Sequence, residues 1–205
     1  ESNSLYAQSK AQGEAGIFAA SPNAVILRPS VIFGPEDNFF NRFAGMTRFS
    51  PLLPVVGAST KFQTVYVDDV AHAAAKGVMG EAAAGVYELG GPDVNTFREL
   101  MQHMLHVIRR RRIIVNLPFW MASIMGGVME FVQTISFGLI PPQITRDQVR
   151  SLKVDNVVND DAKGFADLGI EPTSLEAVLP DYLWRFRPAG QYEAIKESAG
   201  NLRSD

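Results

Sequence analysis

The sequence predicts an α/β protein built on a parallel sheet, with a smaller helix-rich lobe following it. Two observations carry that expectation. Short continuous apolar runs alternate with helical stretches through about the first 90 residues, and helix signals dominate afterwards. Ala24-Val25-Ile26-Leu27 and Val86-Tyr87-Glu88-Leu89 are such runs. Strands covered on both faces read this way because neither face needs polar residues.

Taken in order, residues 5–20 carry Ala, Gln, Lys and Glu with few breakers, so they read as a helix closed by Pro22-Asn23. Residues 24–28 read as the first strand. Residues 34–61 alternate Pro, Gly and aromatics and read as a long functional loop with one short helix around Phe39 to Met46. Residues 62–67 and 86–90 are the next two strands, and all three are expected in one mostly parallel sheet. Asp68-Asp69 stands between a strand and the Ala-rich helix Val70 to Met79, which makes one of the two an N-cap. The paired-carboxylate or metal reading of these residues is the weaker one.

Thr96-Phe97-Arg98-Glu99 is a capping box, and the apolar residues at 97, 100, 101, 104, 105 and 108 form one face of the helix it starts. Ile113 to Val115 reads as a short strand. Thr145 to Gln148 and Thr173 to Glu176 repeat the capping pattern and introduce two further helices. The tail beyond Arg187 is polar.

Composition narrows the function classes. The chain has 205 residues, 46% hydrophobic and 20% charged, which is enough for a sizeable core. A net charge of −3 gives no reason to expect nucleic acid as a partner. With no Cys there is neither a disulfide nor a thiolate site. His103 and His106 stand three apart on the polar side of their helix with no third ligand nearby, so they read as solvated. Arg109 to Arg112 suit an anionic surface or a partner protein as well as a plain solvated run.

The stretch from Leu117 to Ile140 is almost wholly apolar, with Glu130 its only charged residue and Pro141-Pro142 after it. A buried helix pair and an apolar face turned to a membrane or lipid-like ligand account for it about equally well. Gly126-Gly127, Gln133 and Pro118 make it a poor bilayer span.

Tyr6 and Lys10, four residues apart, lie one above the other on a helix. An ammonium beside a phenol favours the phenolate, so the pair can act as a tunable proton donor. Alone this spacing is common. Followed by Ile26-Leu27-Arg28-Pro29-Ser30-Val31-Ile32-Phe33-Gly34-Pro35, it resembles the extended branch of the short-chain dehydrogenase/reductases, also described as NAD-dependent epimerase/dehydratase proteins. Phe33 to Phe43, Pro141 to Val149, Asp167-Leu168-Gly169-Ile170 and Tyr87 to Pro92 are similar to the atypical members related to alpha subcomplex subunit nine of respiratory complex I. Val67-Asp68-Asp69-Val70 resembles a structural signature common in the family.

The resemblance implies the later part of a Rossmann-type doubly wound sheet at 1–90, with a substrate-lobe insertion near 36–61. It implies a substrate or interaction lobe at 91–187, leaving a polar tail at 188–205. It makes Tyr6 the acid/base and Lys10 its partner and ribose ligand, with Pro29, Ser30 and Val31 forming the turn toward the nicotinamide. The implied cofactor is NADP(H) or NAD(H). The implied setting is complex I subunits or a membrane surface, at the bacterial cytoplasmic or mitochondrial matrix side. The implied role is an accessory protein. An active oxidoreductase or epimerase on a small or lipid-like substrate, in ubiquinone biosynthesis for example, and a non-catalytic scaffold are the alternatives.

The chain opens at Glu1, and neither a G-x-x-G-x-x-G nor a G-x-G-x-x-G turn follows any strand. The family's glycine turn and catalytic Ser lie upstream of its Tyr. The expectation is therefore that these residues are the C-terminal part of a longer protein and do not hold a dinucleotide on their own.

Overall fold

The computed structural model describes residues 5–135 and 145–190. The elements run α1 (Leu5–Ala20), β1 (Val25–Pro29), β2 (Ile32–Phe33), α2 (Phe40–Met46), β3 (Leu52–Val56), β4 (Lys61–Phe62), β5 (Val65–Tyr66), α3 (Val67–Val78), β6 (Gly85–Leu89), β7 (Asn95–Thr96), α4 (Phe97–Val107), β8 (Ile113–Leu117), α5 (Phe119–Ile135), α6 (Arg146–Ser151) and α7 (Leu175–Leu183). Pro141-Pro142, residues 136–140 of the apolar stretch and the tail from 191 lie outside the described residues.

The architecture is mixed α/β with mainly parallel pairing. β1 runs parallel to β6, from Val25 opposite Gly85 to Pro29 opposite Leu89. β2 with β5 and β3 with β8 are also parallel, while β4 with β7 is antiparallel. α3 crosses between β5 and β6 and packs on β1, as a parallel connection requires.

Three expectations need correction. Residues 62–67 are not one strand beside 24–28 and 86–90; they divide into β4 and β5, which belong to two different sheets. The cause lies at Gln63 and Thr64. The Gln63 N–H goes to Asn156 O at 2.9 Å, and Thr64 O accepts from the Gly91 N–H at 3.1 Å, so the ladder changes partner in mid-run. The loop at 34–61 contains a strand, β3, whose Pro54 and flanking Pro51 hid it from pattern reading. At Thr173 to Glu176 the helix starts later than the pattern suggests. Ser174 is the N-cap of α7 and makes no side-chain cap bond, and the Thr173 hydroxyl that the pattern assigned to the cap is engaged by Asp69.

The capping boxes at Thr96 with Glu99 and at Thr145 with Gln148 are both formed. On α4, Phe97, Leu100, Met101, Met104, Leu105 and Ile108 are all buried, the face that the periodicity predicted. They join Phe33, Phe40, Leu53, Val55, Leu179 and Leu183 in the largest core cluster. α4 ends with Arg109 in the left-handed region, φ 54°, while the Arg110 N–H reaches back to Leu105 O at 3.1 Å.

Gly91 sits where no side chain fits. A Cβ there would stand 2.2 Å from Thr64 O, a backbone atom that cannot swing away. Gly91→Ala should therefore cost about 1–3 kcal/mol. Urea unfolding with an unchanged slope and a lowered midpoint is the expected result.

α5 is divided between the two readings of its apolar sequence. Ala122 packs with Val56 and Val149, and at Gly126 a Cβ would stand 3.0 Å from Arg146 N, so the small residue lets α6 close on the helix. Trp120, Ile124, Val128 and Phe131, at helical spacing, are 65%, 59%, 56% and 65% exposed. Among the described residues no helix is long and apolar enough to cross a membrane.

Candidate functional site

α1 and β1 are joined by the short turn at 21–24, so the first turns of the helix lie toward the C-terminal end of the strand. A two-pronged ion pair fixes the face of α1 turned to β1: Arg28 Nε donates to Glu14 Oε1 at 3.0 Å and Arg28 Nη2 to Glu14 Oε2 at 2.5 Å. That hydrogen bond, opposed by partial burial and aided by the opposite charge, holds the Glu14 carboxyl below the usual range. Arg28 also reaches Glu88 Oε1 on β6 at 3.4 Å.

Lys10 stands one turn before Glu14 on the same helical stripe, about 6 Å further along the axis. Its side chain is exposed. Tyr6 belongs to α1 one turn earlier still, and its side chain lies outside the described residues. Pro29 is the last residue of β1. The Ser30 N–H donates to Leu89 O at 2.9 Å and the Ser30 hydroxyl to Asn156 O at 3.3 Å. Val31 O accepts from the Val65 N–H at 3.0 Å.

Of the predicted site residues, Pro29 and Ser30 border a cleft of about 310 Å³ at the C-terminal ends of β1 and β6, lined also by Arg28, Glu88, Asn156 and Asn159, among others; Lys10 and Val31 are not part of its lining. Ligands of open α/β sheets bind at such strand ends. The Glu88 carboxylate is engaged within the protein: its Oε2 accepts from Asn159 N and Nδ2 at 3.0 and 2.8 Å. Of the groups a nicotinamide riboside would need, the described residues offer the Ser30 hydroxyl in the cleft and the Lys10 ammonium on the neighbouring helix, outside the cleft's lining. They include no glycine turn to cradle a pyrophosphate.

Neither Asp68 nor Asp69 is an N-cap; the α3 cap is Tyr66, which makes no side-chain cap bond. Asp68 accepts from the Tyr66 hydroxyl at 2.9 Å. Asp69 is buried and holds Thr173, whose N–H and hydroxyl stand 2.7 and 3.0 Å from its two oxygens. The helix starts three residues sooner than pattern reading placed it, so both carboxylates fall inside its first turn. His103 Nδ1 stands 4.0 Å from Glu176, a contact between α4 and α7.

The arginine run is partly structural. Arg110 Nε donates to Phe186 O at 2.8 Å, and Arg112 donates from Nε and Nη2 to Thr47 O at 3.0 and 2.8 Å. Burial first, then repulsion by Arg112 and Arg48, keeps Arg110 below its ordinary basicity.

Sequence reading missed a carboxylate that shapes the loop after β2. Asp37 accepts from the Gly34 N–H at 3.2 Å, the Asn41 N–H at 3.1 Å and the Tyr182 hydroxyl at 2.5 Å. Burial and this hydrogen bond push the Tyr182 phenol far above its usual range, so it stays a neutral donor. Gly34-Pro35-Glu36-Asp37 signals a turn; nothing in the sequence names a partner 145 residues away.

No family model matches the chain. Over 188 residues it is 37% identical to NADH dehydrogenase (ubiquinone) 1 alpha subcomplex subunit 9, mitochondrial, of Arabidopsis thaliana, a match covering 89% of this chain and 47% of that protein. The chain is homologous to subunit 9 over this stretch. It spans about half the length of the curated relatives it matches. A ceramide reductase of Caulobacter vibrioides is 34% identical over 119 residues, covering 56% of this chain and 37% of that enzyme. Among solved structures, a dTDP-glucose 4,6-dehydratase of Streptomyces venezuelae overlays with a TM-score of 0.63 at 19% identity, over 93% of this chain and 53% of that one. That likeness speaks for the fold.

Proposed function

We propose that the chain is the nicotinamide-facing and lobe-forming part of an NAD(P)H-binding short-chain reductase that serves as an accessory protein of respiratory complex I. The match to subunit 9 across 89% of the chain carries this reading. In it, Tyr6 is the proton donor, and the Lys10 ammonium lowers the phenol's pKa and bonds the nicotinamide ribose. Pro29, Ser30 and Val31 position the nicotinamide edge. Bound there, the cofactor supplies hydride chemistry.

The division at about residue 90, with a substrate-lobe insertion near 36–61, is part of the same proposal. So is its location, peripheral to the inner membrane on the bacterial cytoplasmic or mitochondrial matrix side. The exposed stripe of α5 and the cationic cluster of Arg48, Arg110 and Arg112 support contact with an anionic bilayer or a membrane-bound complex.

The test takes the natural protein that carries these residues and measures nucleotide released from it by mass spectrometry, with and without membranes, and its migration with complex I on native gels. Absence of nucleotide in both preparations overturns the cofactor part. Migration apart from complex I overturns the partner part. With anionic vesicles, weak, salt-sensitive co-sedimentation is expected, and Trp120→Ser with Phe131→Ser should abolish it. Wild-type protein that stays in the supernatant at low salt sinks the lipid-surface version.

A second reading, an active oxidoreductase or epimerase on a lipid-like substrate, in ubiquinone biosynthesis for example, is favoured by a specific observation. An apolar cavity adjoins the cleft, and one relative is a ceramide reductase. Turnover of a lipid carbonyl by the natural protein, lost in Tyr6→Phe with nucleotide retained, is the result that selects it over the accessory role and over a catalytically silent scaffold.

A further inference from the structure

A cavity of about 680 Å³ opens between α2, β3 and α6, within the range of small-ligand sites. One wall is apolar: Phe39 at the N-cap of α2, Phe43 from α2, Val55 and Val56 from β3, and Phe62 and Phe97 behind them, while Arg42 of α2 and Asp147 of α6 are the charged residues of its lining. The rings pack on one another, with Phe39 stacked on Phe97 at 5.5 Å between centroids and Phe43 edge-on to Phe97 at 5.4 Å. Phe39 and Phe43 are only half-buried, so the aromatic surface is finished on its core side and open on its cavity side.

The polar groups on the opposite wall are largely committed. Thr145 Oγ1 accepts from the Gln148 N–H, and Gln148 Oε1 accepts from the Thr145 N–H, both at 3.1 Å. The Ser151 hydroxyl donates to Asp147 O at 3.1 Å. A sugar placed here would bury hydroxyls against phenylalanine, at the cost of unmade hydrogen bonds. A hydrocarbon chain needs none. The cavity is also continuous in lining with the polar cleft, because Ser151 and Asn156 border both.

We infer that this cavity binds a single unbranched apolar chain, the acyl or alkyl part of a ligand whose polar end lies at Ser151 and Asn156, facing the cleft beside Pro29 and Ser30. The inference deepens the lipid-substrate reading above and rests on it for the role of the cleft, whereas the cavity itself stands on its lining.

The experiment measures binding of saturated fatty acids from eight to sixteen carbons, below their micelle concentrations, by titration calorimetry with the natural protein. The carboxylate is constant along the series, so the slope reports the chain. Each buried methylene should tighten binding about fourfold until the cavity fills, after which the series levels off. dTDP-glucose at the same concentrations should displace nothing.

Phe43→Asn should flatten the slope. Val31→Trp, which fills the cavity from its edge, should bring the plateau several carbons earlier. Trp120→Ser with Phe131→Ser should leave the slope intact, separating the cavity from the α5 face. Circular dichroism and melting establish that each variant is folded. A flat wild-type series, displacement by dTDP-glucose, or a slope that both folded cavity variants retain overturns the inference. Nucleotide retained without a slope removes the cavity and leaves the reductase reading; a slope without nucleotide does the reverse.

Discussion

Lys10→Ala, made in the natural protein that carries these residues, is expected to lower nucleotide occupancy roughly ten- to a hundredfold. A charge-assisted hydrogen bond is worth about 1.5–3 kcal/mol, and each 1.4 kcal/mol is a factor of ten. Lys10 is exposed on α1, one turn from the Glu14 carboxylate that ties the helix to Arg28. Melting of Lys10→Ala beside wild type separates loss of the ligand from loss of the fold. The comparison that isolates it is Tyr6→Phe, which should retain nucleotide and lose any proton transfer. Dialysis against graded NADPH, followed by mass spectrometry of the bound nucleotide, reads both. Occupancy unchanged in Lys10→Ala would remove Lys10 from the site. Arg in its place is no rescue, since a planar fork does not reproduce a point donor to a ribose.

How far the sequence carried depended on whether the information was local. The Thr96 capping box, the buried face of α4 and the parallel partners β1 and β6 were legible because each is written in a few neighbouring residues or in one continuous apolar run. The break in the strand at Gln63 and Thr64 was not, because it is made by Asn156 and Gly91, far along the chain. Asp69 failed as a cap for the same reason: Thr173 claims its carboxylate from 104 residues away. α5 was ambiguous in sequence because it is divided in space, with Ala122 and Gly126 under α6 and Trp120 and Phe131 toward solvent. The motif from Tyr6 to Pro35 carried a family resemblance, while the chemistry of the adjoining cavity depends on four phenylalanines that no local pattern groups together.

Asp37→Ala should be among the most destabilising single changes in the loop that walls this cavity, costing about 3 kcal/mol. Its two oxygens hold the Gly34 and Asn41 N–H groups and the Tyr182 hydroxyl, so one carboxylate joins the end of β2, the start of α2 and α7. Arg185 braces the same loop, donating to Pro35 O at 2.9 Å and Asn41 Oδ1 at 2.8 Å. Alanine leaves two backbone donors and a largely buried phenol without their acceptor, whereas Tyr182→Phe removes one donor and leaves the carboxylate its other two. The single phenylalanine change should therefore cost about half as much, near 1.5 kcal/mol. In a chain of this size each kcal/mol moves the melting point about 2–4 °C, so Asp37→Ala should melt about 6–12 °C lower. A double-mutant cycle closes the argument, since residues in direct contact couple. A coupling energy above about 1 kcal/mol is expected between Asp37 and Tyr182. Additive losses would mean that the two side chains act separately. Because Phe39 and Phe43 ride on this loop and helix, Asp37→Ala should also weaken binding of the longer fatty acids before it unfolds the chain. A variant that melts lower yet binds them unchanged would separate the brace from the cavity.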